Sequence, residues 1–160
     1  MPRRINKTLT HLPCDRRGVA AIEFAMIGSL TAILVLGAYD FGNAAQQQIQ
    51  LQEAVRSGGA YAMNHATDVA GIQGVVTNAL PSGWTLTNPG GVATVACSCL
   101  DPNTGALTSL GVCSSANFDT CASGSGIIVS ITATMAYTSV DPVFAAAIPQ
   151  LSATYVTRFQ

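Results

Sequence analysis

The sequence predicts an α+β protein: a long N-terminal helix, transmembrane in its first half, packed on a small antiparallel sheet with a disulfide-stapled loop. Three observations predict it. A single long apolar run, Val19 to Tyr39, passes into a stretch of helical periodicity. Three later stretches alternate with a period of two. Four cysteines, Cys97, Cys99, Cys113 and Cys121, fall in a region rich in Gly, Ser and Thr.

The chain has 160 residues, enough for one modest domain with a small core. Charged residues are 9% and hydrophobic residues 49%, which excludes a disordered tail and a nucleic-acid binder. The net charge of −1 conceals an asymmetry. Residues 1–18 hold Arg3, Arg4, Lys7, Arg16 and Arg17 against Asp15, a balance of +4. From Val19 onward, Arg56 and Arg158 stand against seven carboxylates, a balance of −5. A basic head, one apolar run and an acidic remainder suggest a cytoplasmic N-terminus and an exported C-terminal domain. A soluble protein with a buried helix is the rival reading.

The apolar run opens the elements. Its 21 residues from Val19 to Tyr39 make a helix of about 31 Å, one hydrocarbon thickness. As a cleavable secretory signal it has a poor cut site, because "GNAAQ" at residues 42–46 lacks the usual small residues. A lipoprotein signal fails because Cys14 precedes the run. A permanent anchor fits the length but leaves Glu23 unexplained, although near a helix end a carboxylate costs less than the roughly 2.5–3.5 kcal/mol it costs at the centre. A cut after Gly18 resolves this. Val19 then carries a new ammonium and Glu23 becomes the fifth residue of the mature chain. The two charges can pair between neighbouring helices at different heights.

Beyond Tyr39 the helix is expected to extend over residues 40–65. Phe41, Ala44, Gln48, Leu51, Val55, Gly58 and Ala62 recur at steps of three and four, one helical face. Gly58 and Gly59 weaken a helix by about 1 kcal/mol each relative to Ala, so the pair suggests close packing against the sheet. The rest of the extracytoplasmic α+β domain, 66–160, begins with a second helix from Asp68 to Leu80, ended by the turn Pro81-Ser82-Gly83. Three strands follow. "GVATVACSC" puts Val95, Cys97 and Cys99 on one face; "IIVSITATMAY" does so with Val129, Ile131, Ala133, Met135 and Tyr137; "LSATYVTRF" with Leu151, Ala153, Tyr155 and Phe159. Between the first two lies a long loop, Leu100 to Gly126, for which disulfides are the expected staple.

Four exported cysteines read as two disulfides. Zinc is the rival, but the spacing lacks the C-x₂-C pairs of structural zinc sites. Cys97 and Cys99 share a strand face, so each is expected to pair with Cys113 or Cys121 rather than with the other. Of the two arrangements left, the nested one, Cys97–Cys121 with Cys99–Cys113, is the expectation.

The sequence offers no catalytic constellation, and an enzyme, a cofactor and a resident metal are not expected. His11 lies in the leader and His65 stands alone. Asp101 and Asp119 flank a Gly-rich loop where Ca²⁺ is conceivable and turn formation is the simpler reading. Trp84 is expected in the core.

The segment "RRGVAAIEFAMI" resembles the start of TadE-like minor pseudopilins of the Tad/Flp type IV pilus system. Within it, "GVAAIEF" resembles that branch's processing site: glycine before the cut, four small or apolar residues, then Glu and an aromatic. "LQEAVRSGGAYAM", residues 51–63, resembles the family's helix extension. Gly28 departs from the pattern, standing where many relatives carry proline or a bulky residue. The resemblance implies a pilin-like fold and a leader, 1–18, removed by prepilin peptidase between Gly18 and Val19, with Glu23 and Phe24 read in processing and assembly. It implies a single-pass protein of the bacterial inner membrane whose C-terminal domain is periplasmic, or surface-exposed in an assembled pilus. The implied partners are prepilin peptidase, other pilins and pseudopilins, the inner-membrane assembly platform and membrane lipid. A signal-anchored or secreted binding module with a disulfide-stabilised domain is the alternative.

Overall fold

A computed structural model describes residues 17–118, 120–121, 126–140 and 148–159. The leader through Arg16, with His11 and Cys14, lies outside the described residues, as does Asp119. Helix α1 spans Arg17–Ala62, helix α2 Val69–Ala79, and the short helix α3 Ser115–Phe118. The strands are β1 (Thr94–Leu100), β2 (Leu107–Val112), β3 (Gly126–Ala136) and β4 (Gln150–Phe159). They form one antiparallel sheet in the order β2-β1-β3-β4.

The chain divides into two units, residues up to Leu36 and residues from Gly37. In the first, α1 is apolar on all sides, and its large side chains from Val19 to Leu36 are exposed, Phe24 at 79%. A helix apolar all round is suited to lipid or to other helices rather than to one flank of a soluble core. Among the described residues α1 is the one helix long and apolar enough to cross a membrane.

In the second unit α1 becomes one-sided. Gly37, Asp40, Ala44, Leu51, Ala54, Val55, Gly58, Gly59 and Ala62 are buried. This follows the expected face except at its start. Phe41 is 69% exposed, and Asp40, at 2%, occupies the inward position. Positions 40 and 41 both stand within helical reach of Ala44, and periodicity alone favours the apolar one; a set of hydrogen-bond donors on the domain decides for the carboxylate.

The two glycines are pressed from different sides. A Cβ on Gly58 would collide with the Val76 side chain on α2, and one on Gly59 with the Tyr155 ring on β4. Their helix-weakening cost is offset by close approach of both neighbours. Helix α2 begins where Asp68 caps it, its carboxylate accepting the Gly71 N–H at 3.0 Å. It buries Ile72 and Val76. The Pro81–Trp84 turn closes with Gly83 at φ +89° and the Trp84 N–H donating to the Pro81 carbonyl. Trp84 packs against the core.

Strands β1, β3 and β4 run where the alternation placed them. Val95 and Cys97 on β1 are buried, as are Val129, Ile131, Ala133 and Met135 on β3, with Tyr137 just beyond it, and Leu151 and Ala153 on β4. Asn88 extends the sheet past the start of β1. Its amide donates to the Thr132 carbonyl at 3.2 Å, and its carbonyl accepts the Thr134 N–H at 2.6 Å, as a neighbouring strand's peptide would.

The segment expected as a loop from Leu100 to Gly126 instead contains a fourth strand. Asp101 turns the chain: its carboxylate accepts the Asn103 N–H at 2.8 Å, Gly105 takes φ +69°, and the Asp101 N–H donates to the Ala106 carbonyl. The Asn103 N–H and then the Thr104 side chain hold the Asp101 carboxyl below its usual range. The turn returns β2 along β1.

That hairpin corrects the expected cysteine pairing. The bonds are Cys97–Cys113 and Cys99–Cys121, with Cα separations of 5.0 and 5.6 Å. Because Ala96 faces Val112 and Cys97 faces Gly111, β2 delivers Cys113 alongside Cys97 as it ends. Cys99 is left for Cys121. The two bridges interleave along the chain rather than nest.

Candidate functional site

Gly18 lies in the first turn of α1. A Cβ there would meet nothing within 4 Å, and its φ is not positive. Among the described residues nothing requires a glycine at this position. Val19, Glu23 and Phe24 follow on the exposed helix. Val19 and Glu23 are four residues apart, one turn or about 6 Å along the axis.

Between Val19 and Ala38 the polar side chains are Glu23, Ser29 and Thr31. Ser29 donates back to the Met26 carbonyl at 2.9 Å, and Thr31 to the Ile27 carbonyl at 2.8 Å. Both hydroxyls are satisfied inside the helix, as apolar surroundings demand. Glu23 has no hydrogen bond or ion pair among the described residues. An acceptor-only carboxylate cannot bond to its own helix's carbonyls, so its partner must come from elsewhere. Gly28 also faces nothing within 4 Å, and α1 runs through it unbroken.

Asp40, a carboxylate the sequence reading passed over, shows the opposite arrangement. Its side chain accepts the Ser139 hydroxyl at 2.5 Å and the Val140 N–H at 3.0 Å. The Tyr137 hydroxyl donates to its backbone carbonyl at 2.8 Å. Burial pushes the Tyr137 hydroxyl above its ordinary pKa, and the Asp40 charge adds to the effect. The available signal was an Asp on the helical face, with Tyr137 and Ser139 following a strand.

At the far end of α1, His65 is exposed and does not stand alone: it stacks on Tyr61 with ring centroids 4.6 Å apart. The Tyr61 hydroxyl donates to Asp68 at 2.8 Å. The Gly71 N–H and then this hydroxyl hold the Asp68 carboxyl below its usual range, and the same bond holds the Tyr61 hydroxyl above its own. Among the described residues no group of three or more His, Cys, Asp or Glu side chains is placed to hold a metal.

Comparison with known proteins adds one finding. The family described as TadE-like protein matches residues 18–60, from the glycine before Val19 to the last turn of α1. No curated protein and no solved structure matches the chain significantly. The matched stretch contains Gly18, Glu23 and Phe24 as well as Gly58 and Gly59 and stops short of the sheet. Over residues 18–60, which make up most of α1, the chain is thus similar to TadE-like proteins.

Proposed function

We propose that the chain is a minor pseudopilin, a structural subunit for initiation, tip or assembly of a Tad-type pilus. Prepilin peptidase removes residues 1–18 at the cytoplasmic face. The mature stem then stands in the inner membrane as a single pass, with the disulfide-bonded domain in the periplasm. Its partners are other pilins and pseudopilins and the inner-membrane assembly platform. It is a structural subunit and not an enzyme.

One observation carries this reading. Glu23 is the polar side chain of the stem whose bonding need is unmet among the described residues, and it lies five residues beyond a glycine that no described neighbour requires. The ammonium created at Val19 supplies the complementary charge, and in an apolar surrounding such a pair is far stronger than in water. Paired between staggered subunits, the two charges favour stacking of stems over isolated stems.

Glu23→Gln separates assembly from processing. It keeps the side chain's size and removes its charge. Membrane insertion and removal of the leader are expected to stay near normal, while crosslinks between this stem and other pilins are lost. Full assembly with glutamine at this position would refute the ion pair.

A further inference from the structure

Beyond Arg17 the chain has two cations, Arg56 and Arg158, and both flank the same strand edge. Arg56 lies in the wall of a groove of about 310 Å³ between α1 and β4, facing Ser152 and Thr154. Arg158 is carried by β4 itself, and its side chain lies against Gly126 on β3. Both arginines are exposed, and neither has an ion-pair partner among the described residues.

The edge between them is open. β4 pairs with β3 from Phe159 to Gln150 without a register shift. On β3, Thr134 turns its backbone away from β4: its N–H donates to Asn88 and its carbonyl accepts from the Thr87 N–H. The Thr132 carbonyl likewise accepts from Asn88. Backbone groups alternate along a strand, so the odd-numbered residues of β3 and β4 make the ladder between them. Ser152, Thr154, Val156 and Arg158 therefore direct their N–H and carbonyl groups outward. Gln48 covers the Ser152 carbonyl at 2.7 Å. From Thr154 to Arg158 no described residue bonds to the outward groups.

Proteins normally blunt such an edge with proline, lysine, a bulge or a covering helix. The other edge strand, β2, is short, and its pairing with β1 shifts register beside Cys97 and Ser98, with Gly111 at φ +80°. Over Thr154–Arg158, β4 has neither proline, lysine nor a bulge, its one charge is Arg158 at the end of the stretch, and Val156 at its middle is 56% exposed.

We propose that the β4 edge from Thr154 to Arg158 accepts an extended acidic segment of another pilus component as a fifth strand. Backbone hydrogen bonds supply register and side chains supply selectivity, the usual division in strand addition. Alternate side chains of the added segment fall on opposite faces. A carboxylate on the helix side reaches Arg56 and one on the outer side reaches Arg158. Glu53 shares the groove wall with Arg56, which places the acidic residue toward the Arg56 end. A second copy of this chain offers no acidic strand among its described residues, because none of β1 to β4 contains Asp or Glu. The inference is independent of how the stem is processed.

The test uses the full-length protein in detergent micelles and a short synthetic peptide of alternating Thr and Val carrying two Asp. Amide hydrogen exchange is read residue by residue. The free protein should exchange rapidly at Thr154, Val156 and Arg158, and the peptide should slow all three. The same peptide with Lys for Asp, and the double variant Arg56→Gln with Arg158→Gln, should each weaken binding by about tenfold, as two exposed charge contacts allow. Val156→Pro removes one outward N–H, which an edge strand tolerates, and should abolish binding while Ala153 and Tyr155 stay protected. Absence of slowing at saturating peptide, or equal binding of the Lys peptide, would overturn the proposal. So would protection that rises with protein concentration alone, which would make a second copy the occupant.

Discussion

Glu23 and Asp40 are carboxylates on one helix, one near each end of its apolar run, and they are treated in opposite ways. Asp40 is 2% exposed and receives a hydroxyl and a backbone N–H from the segment after β3. Glu23 is exposed and receives nothing from the described residues of its own chain. A buried charge must be met where it lies, because leaving it unmet costs several kcal/mol. Asp40 is met by folding. In the proposed subunit, Glu23 is met by assembly. The same residue chemistry thus marks a fold determinant in one unit and, in the proposed subunit, an interchain contact in the other.

The largest effect is expected at Asp40. Asp40→Ala strands the Ser139 hydroxyl and the Val140 N–H and leaves a cavity, a loss of about 3 kcal/mol in domain stability. Urea denaturation of the oxidised protein in detergent measures it. Glu23→Gln, measured in the same way, should leave domain stability unchanged. Equal losses at the two positions would erase the distinction between them.

The glycines sharpen the contrast. Gly59→Ala drives a methyl into the Tyr155 ring and should destabilise by about 2 kcal/mol, within the range for overpacked sites. Gly28→Ala meets open space and should raise helix stability by roughly 0.5–1 kcal/mol. Opposite signs are the prediction; thermal unfolding of the Gly59 variant and helix content of the Gly28 variant report them.

A smaller effect lies at the far end of α1. The folded Asp68 carboxyl is held below its usual pKa, so its contribution is fully present above about pH 4 and is lost as pH falls through the lowered folded value. Exchange at the Gly71 amide, which Asp68 caps, should accelerate relative to the β3 amides over that acid range. Asp68→Asn should remove the pH dependence.

The sequence showed most clearly those elements that have one face in the core. Alternation in β1, β3 and β4 and the three-four spacing from Ala44 to Ala62 were legible because burial selects every second or every third and fourth residue. β2 was not, since its residues Leu107 to Val112 are largely exposed and no face is selected. Its signal lay in the turn, "DPNTG", rather than in the strand. The disulfide partners depended on that missed hairpin, so geometry at Cys97 and Cys99 alone left two arrangements. Asp40 was hidden because a periodicity count prefers the adjacent Phe41. Gly18 and Glu23 stand out in the sequence for the converse reason: among the described residues neither of them has a contact to make.

The central claim is that the stem is completed by a charge its precursor does not yet have. Intact-mass measurement of the protein extracted from its native membrane tests this most directly. A chain beginning at Val19, with both disulfides formed, is the expected result, together with an uncut precursor when Gly18→Arg is introduced. A mature chain that retains Met1, or one that begins at Gln46, would contradict it.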